Sequence, residues 1–129
     1  MAAFLSDPWL ALVRSHGESL PATEGVSIVM QHVITGAPQG KVQAVVEVRD
    51  GKVMTAELGK RADATCTVTW TYKDAGAIVL GQASLDEAFM RGDLKVEGDY
   101  TTLLFCLRTA LRSDAARQAI AAVRADTEV

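Results

Sequence analysis

At 129 residues, with 49% apolar but only 5% aromatic residues and a net charge of −3, the chain is sized for one domain with a mainly aliphatic interior. Its Lys and Arg residues are scattered, with Lys60-Arg61 the single adjacent pair, so it lacks the basic stripe that neutralises phosphates, and no nucleic-acid partner is expected. No run approaches the roughly 20 apolar residues of a membrane span, Met1 to Leu12 lacks signal-peptide character, position 2 is Ala rather than a myristoylated Gly, and the final residues are not a peroxisomal address.

A cytoplasmic protein is therefore expected, with Cys66 and Cys106 reduced and structural. Reading from the start, Asp7 caps and Pro8 opens a first helix, with Trp9, Leu10 and Val13 on neighbouring turns, ending near Gly17. Residues 26–35 alternate as a strand, with Val26, Ile28, Met30 and Ile34 on one face, although Val29 and Val33 blur the pattern. Gly36 to Gly40 reads as a loop. Lys41 to Arg49 puts Val42, Ala44, Val46 and Val48 on one face, Asp50-Gly51 is a hairpin turn, and residues 52–58 pair back. Residues 64–72 alternate most cleanly, with Ala64, Cys66, Val68, Trp70 and Tyr72 on one face and Thr65, Thr67, Thr69 and Thr71 on the other. A helix from about Lys73 to Leu80 follows, stopped by Gly81.

The densest signals lie between Ser84 and Asp99. Ser84 and Glu87 form a capping box, in which the hydroxyl takes an orphan amide and the carboxylate reaches back. Phe89 and Met90 supply the apolar side of a short helix that Gly92 ends. Leu94 and Val96 alternate with Lys95 and Glu97 as a strand at 93–97, and Gly98 turns the chain so that Asp99 caps another helix. Phe89, Met90, Gly92, Leu94, Lys95, Val96, Gly98 and Asp99 together form a phrase that resembles the sterol carrier protein type 2 family of small lipid carriers. The likeness extends in element order over roughly residues 20–112. It implies an α+β fold, and the strands read above agree: a five-stranded, mostly antiparallel sheet with helices on its apolar face.

Two helices complete the chain. From Tyr100 to Arg112, Tyr100, Leu103, Leu104, Leu107 and Leu111 fall in one core-facing stripe. Phe105 lies on the opposite arc with Arg108 and Arg112, either covered by the first helix or free to meet a membrane surface or a second copy. Ser113 caps a last helix, Asp114 to Ala125, whose small apolar face (Ala116, Ala119, Ile120, Val123) gives modest grip. The resemblance suggests that this segment acts as a lid, while a fixed or frayed end fits the residues equally well. The chain is thus read as one domain, 1–129, with an N-terminal helix in 1–19 and a C-terminal helix in 113–129.

Enzyme signatures fail on their chemistry. Gly36 to Lys41 resembles a phosphate loop but is a residue short, lacks the following Ser or Thr and leads into a strand. His16 and His32 sit on different elements and read as surface or satisfied core, so neither a metal site nor a cofactor is implied. Cys106 lies in a Leu-rich helix that would suppress its thiolate, and no nucleophile and base are assembled for a lipid hydrolase. The leading expectation is a noncatalytic carrier holding a sterol, fatty acyl chain or phospholipid in a hydrophobic cavity between sheet and helices. Its lining, taken from the apolar faces, is Val46, Val68, Trp70, Ile78, Phe89, Leu94, Val96, Leu103, Leu104, Leu107 and Leu111. The alternative is a domain of the same fold with a filled core, acting as an interaction or dimerisation module.

Overall fold

The hairpin at Asp50-Gly51 sets the frame. Both residues take left-handed backbone conformations, with φ of 51° and 81°, as a two-residue turn matched to the strand twist requires. The turn joins β3 (Gly40–Arg49) to β4 (Lys52–Leu58). The structure is a computed structural model and describes residues 2–18, 20, 22, 24–82, 85–99, 101–102 and 113–128.

On the other side of β3 lies β2 (Ile28–Ala37), joined to it by a tight turn at Pro38-Gln39 rather than by the loop expected from Gly36 to Gly40. With β5 (Cys66–Thr71) and β6 (Leu94–Gly98) the strands form a five-stranded sheet in the order β4-β3-β2-β5-β6. Every neighbouring pair is antiparallel except β2 and β5. This is the α+β fold expected from the alternation. Tyr72, read as the end of a strand, instead opens α2 (Tyr72–Val79), because Thr71 accepts a hydrogen bond from the Asp74 amide and caps it there.

The parallel pairing forces the chain from β4 at one edge back to the middle, and residues 59–65 make that passage. Gln31, on the reverse face of β2 and buried, holds this strap. Its Nε2 donates to the carbonyls of Gly59 (2.9 Å) and Ala44 (3.3 Å), and its Oε1 accepts from the Arg61 amide (2.9 Å). The Arg61 guanidinium then reaches Glu47 at 2.7 Å and Asp63, and it holds both carboxyls below the usual carboxylate range.

The front face is apolar and carries the helices. α1 (Asp7–Glu18) starts under a cap from Ser6, whose Oγ accepts from the Trp9 amide, one residue earlier than the Asp7 cap expected. It lies against β4 and ends at Glu18, beside the Gly17 where its end was expected; Gly17 is buried, and a Cβ there would collide with Val53. α3 (Leu85–Arg91) closes with Asp93 donating to the Ala88 carbonyl and Gly92 to that of Phe89, the helix stop expected of Gly92. Among its described side chains the buried one is Ala88, not the expected Phe89 and Met90, which are 36% and 84% exposed. Ser84 of the capping box lies outside the described residues.

α4 (Asp114–Ala125) is capped by Ser113 as expected, with the Ala116 amide donating to its hydroxyl at 3.2 Å. The ends of the chain then meet in a second, small sheet that no sequence pattern indicated. Here β1 (Ala2–Ala3) runs parallel to β7 (Thr127–Glu128). Trp9 Nε1 donates to Thr127 Oγ1 at 2.8 Å, Thr127 donates to the Val123 carbonyl, and Arg124 donates to that of Val79. α4 is tied by these bonds to both α1 and α2.

Candidate functional site

Cross-strand register decides which side chains share the front face. Val46 faces Met30, Met30 faces Cys66, Val68 faces Val96, and Trp70 faces Leu94. Opposed residues project to the same side of a sheet, so these form one continuous apolar strip. Val68, 1% exposed, and Leu94 belong to a core cluster with Ile28, Met30, Val48 and Ala88, while Val46, Trp70, Ile78 and Val96 lean on it partly buried. Six of the residues expected to line a lipid site are therefore brought together. Phe89 does not join them, because α3 turns it outward beside Met90. Leu103, Leu104, Leu107 and Leu111, with Phe105 and Cys106, lie outside the described residues.

The turn leading toward that stretch is built as the motif reads. Gly98, at φ 93°, is pressed so close to the Thr65 carbonyl that a Cβ would strike it, and Asp99 donates its amide to the same oxygen at 2.9 Å. The Asp99 carboxylate accepts from the Thr102 amide (3.1 Å) and hydroxyl (2.6 Å), the expected helix cap, and these bonds lower its pKa. Leu94 and Val96 thus pack β6 into the front-face cluster, while Gly98 and Asp99 turn the chain at the end of the strand.

A second cluster on the same face joins Ile34, Val42 and Ala44 to Phe4, Leu5, Trp9 and Leu10. Along β2 the boundary between the two clusters falls at His32, between Met30 and Ile34, and Trp70 touches both. The two rings stack at 5.6 Å with 25° between their planes. His32 was expected to be surface or a satisfied core residue, and it is neither. The residue is half-buried, its Nδ1 is buried, and burial lowers its pKa to about 4. Among the described residues no hydrogen-bond partner meets His32 Nδ1 or Trp70 Nε1. The alternation of β2 already placed position 32 on the apolar face, a signal that could have marked it.

The rest of the described chemistry is sparse. Cys66 is free and buried, and burial pushes its thiol up, so its thiolate is suppressed. Among the described residues no group of three His, Cys, Asp or Glu is placed to hold a metal ion, and no helix is long and apolar enough to cross a membrane. Two surface hollows lie away from the strip. One, of about 250 Å³, is lined by His16, Leu20, Ala115, Gln118 and Ala119. The other, of about 470 Å³, has Asp7, Arg14, Glu18 and Glu57 among its lining residues, which suits water rather than hydrocarbon.

Comparison with known proteins settles the lineage. The family described as the SCP-2 sterol transfer family matches residues 10–104. The chain belongs to that family. No curated protein sequence matches the chain. Among solved structures, palmitated SCP2-L2 from Aedes aegypti shares the fold at 20% identity and a TM-score of 0.64, covering 82% of this chain and 95% of that one. A conserved hypothetical protein from Thermus thermophilus does so at 18% identity and a TM-score of 0.68, covering 98% and 91%. A crystal structure of sterol carrier protein 2 does so at 14% identity and a TM-score of 0.67, covering 94% and 97%. In this member of the SCP-2 family, the apolar strip occupies the sheet face on which the helices lie.

Proposed function

We propose that this member of the SCP-2 sterol transfer family is a noncatalytic lipid carrier. It shelters a sterol, a fatty acyl chain or a phospholipid tail between the front of the sheet and the helices. The observation that carries this reading is the convergence of Val46, Val68, Trp70, Ile78, Leu94 and Val96 on one strip of the face that the helices cover. In this reading Leu103, Leu104, Leu107 and Leu111 form the opposite wall. Such a site needs shape rather than reactive groups: each methylene taken out of water contributes about 0.8 kcal/mol, less the freedom that ligand and side chains give up. The palmitated state of the Aedes aegypti relative supports an acyl chain as one ligand. A cytoplasmic carrier would meet its lipid at a membrane surface, with Phe105 and its neighbouring arginines as the contact, and the same patch would serve a second copy.

Native mass spectrometry of the gently purified protein tests this directly. One lipid per chain is expected, and its mass identifies it. Failure to carry or take up any of palmitate, cholesterol and phosphatidylcholine would sink the carrier reading. For the wall, Leu107→Trp should abolish uptake while the circular dichroism spectrum stays unchanged; undiminished uptake by the folded variant would remove Leu107 from the site.

A further inference from the structure

The pairing of His32 with Trp70 is unusual for an apolar strip. Buried polar atoms in folded proteins are nearly always hydrogen-bonded, and each exception calls for an occupant or a function. Here two such atoms, His32 Nδ1 and Trp70 Nε1, sit on stacked rings in adjoining strands, at the seam where both hydrophobic clusters meet, and neither has a partner among the described residues. We propose that His32 and Trp70 form a hydrogen-bonding site for the hydroxyl group of an otherwise apolar ligand. Among lipids of one chain length the protein then favours the uncharged alcohol over both the carboxylate and the bare hydrocarbon. This rests on the carrier reading and adds to it the chemistry of the preferred ligand.

The donor and acceptor inventory selects the hydroxyl. An indole N–H only donates, so whatever meets Trp70 must accept. Neutral imidazole presents one donor and one acceptor, and which nitrogen holds the proton depends on what it meets. A hydroxyl serves either tautomer. It accepts from Trp70 while donating to a bare Nδ1, or it accepts from Trp70 and from Nδ1–H through its two lone pairs. A carbonyl fits only the second arrangement. A carboxylate accepts from both, but its charge would have to be buried among Val68, Ile34 and Met30, with no cation on that strip among the described residues, at a steep desolvation cost. The lowered pKa of His32 keeps its ring neutral at pH 7, so it supplies no countercharge. Because both atoms are shut off from water, the ligand's oxygen reaches them as its chain displaces the side chains that cover the strip.

The test uses the full chain, freed of lipid, titrated at pH 7 with 1-decanol, decane and decanoate, and followed by the Trp70 indole N–H resonance in a 1H–15N spectrum. Decanol should bind about tenfold more tightly than decane, the return from one to two newly satisfied hydrogen bonds, and more tightly than decanoate. It should move the Trp70 resonance downfield, and decane should not. In His32→Phe and Trp70→Phe, which keep an aromatic ring in place, the ratio of decanol to decane affinity should fall toward one. Equal binding of decanol and decane by the wild-type protein would overturn the hydroxyl site while leaving the carrier reading standing. So would an indole resonance already downfield in the lipid-free protein and unmoved by decanol, which means a trapped water. If none of the three ligands binds while palmitate, cholesterol or phosphatidylcholine is taken up, the hydroxyl site is overturned and the carrier reading stands; if those fail as well, both fall. Because the indole signal is read in the wild-type protein, the result does not depend on either variant folding.

Discussion

His32 shows how a single side chain can set a cost that the rest of the fold carries. Its ring is held neutral by burial, with a pKa lowered to about 4 in the folded protein, whereas in the unfolded chain it titrates near 6.5. A group whose folded pKa lies below its unfolded one binds protons first in the unfolded state. Stability is therefore full above pH 6.5 and falls as the pH drops from 6.5 towards 4, by at most about 3 kcal/mol. The carboxyls of Glu47, Asp63 and Asp99 are held below the carboxylate range, so their losses belong to more acid conditions. The difference between wild type and His32→Phe isolates the histidine. Urea midpoints at pH 7.5 and 5 should diverge for the wild type and lie closer together for the variant. The variant should be at least as stable at pH 7.5, since it no longer buries an unpaired ring nitrogen. Equal slopes in the two proteins would show that His32 takes up its proton as readily in the fold as in the unfolded chain.

At the scale of elements, Gly17 decides how closely α1 approaches the sheet. Alanine is the better helix former by about 1 kcal/mol, yet its Cβ at this position would collide with Val53 of β4. Gly17→Ala should therefore destabilise the protein by about 1 to 3 kcal/mol, the usual cost of overfilling a tight contact. A higher urea midpoint would mean that the helix shifts without penalty. Helix α1 also shows the reach of sequence pattern. Its position was legible from Pro8 and the spacing of Trp9, Leu10 and Val13, and its end from Gly17, but the close approach of Gly17 to Val53 was not, because the two meet only when the helix docks on the sheet. The strands were legible because period-two alternation repeats along each one, and the turn at Asp50-Gly51 admits few other readings. The side on which a two-turn helix lies was not: α3 offers too few residues to define a stripe, so Phe89 and Met90 look inward on paper and face outward in the fold. The lining drawn from the strands is brought together for the same reason that the strands were readable. Gln31 passed unnoticed because its partners, Gly59 and Arg61, become neighbours only once the chain has crossed behind the sheet.

For the molecule as a whole, β1 and β7 bring the described ends together, and Thr127 is the joint. Its hydroxyl accepts from the Trp9 indole and donates to the Val123 carbonyl. Thr127→Val keeps the shape but leaves the indole unpaired, at about 1 to 3 kcal/mol. Amide exchange should quicken across residues 114–128 and stay unchanged in β3; unaltered exchange in the C-terminal helix would show that Arg124 and the strand pair hold it unaided. Strands of two residues carry no periodic signal, so this closure was invisible in the sequence. The strap of residues 59–65 has a wider consequence. Because the chain leaves one border of the sheet and re-enters at its centre, no single cut divides the protein into two self-sufficient halves. Severed there, the hairpins of β2 to β4 and the piece bearing β5 and β6 would each bare a long unpaired rim, and such rims recruit foreign strands as readily as their own.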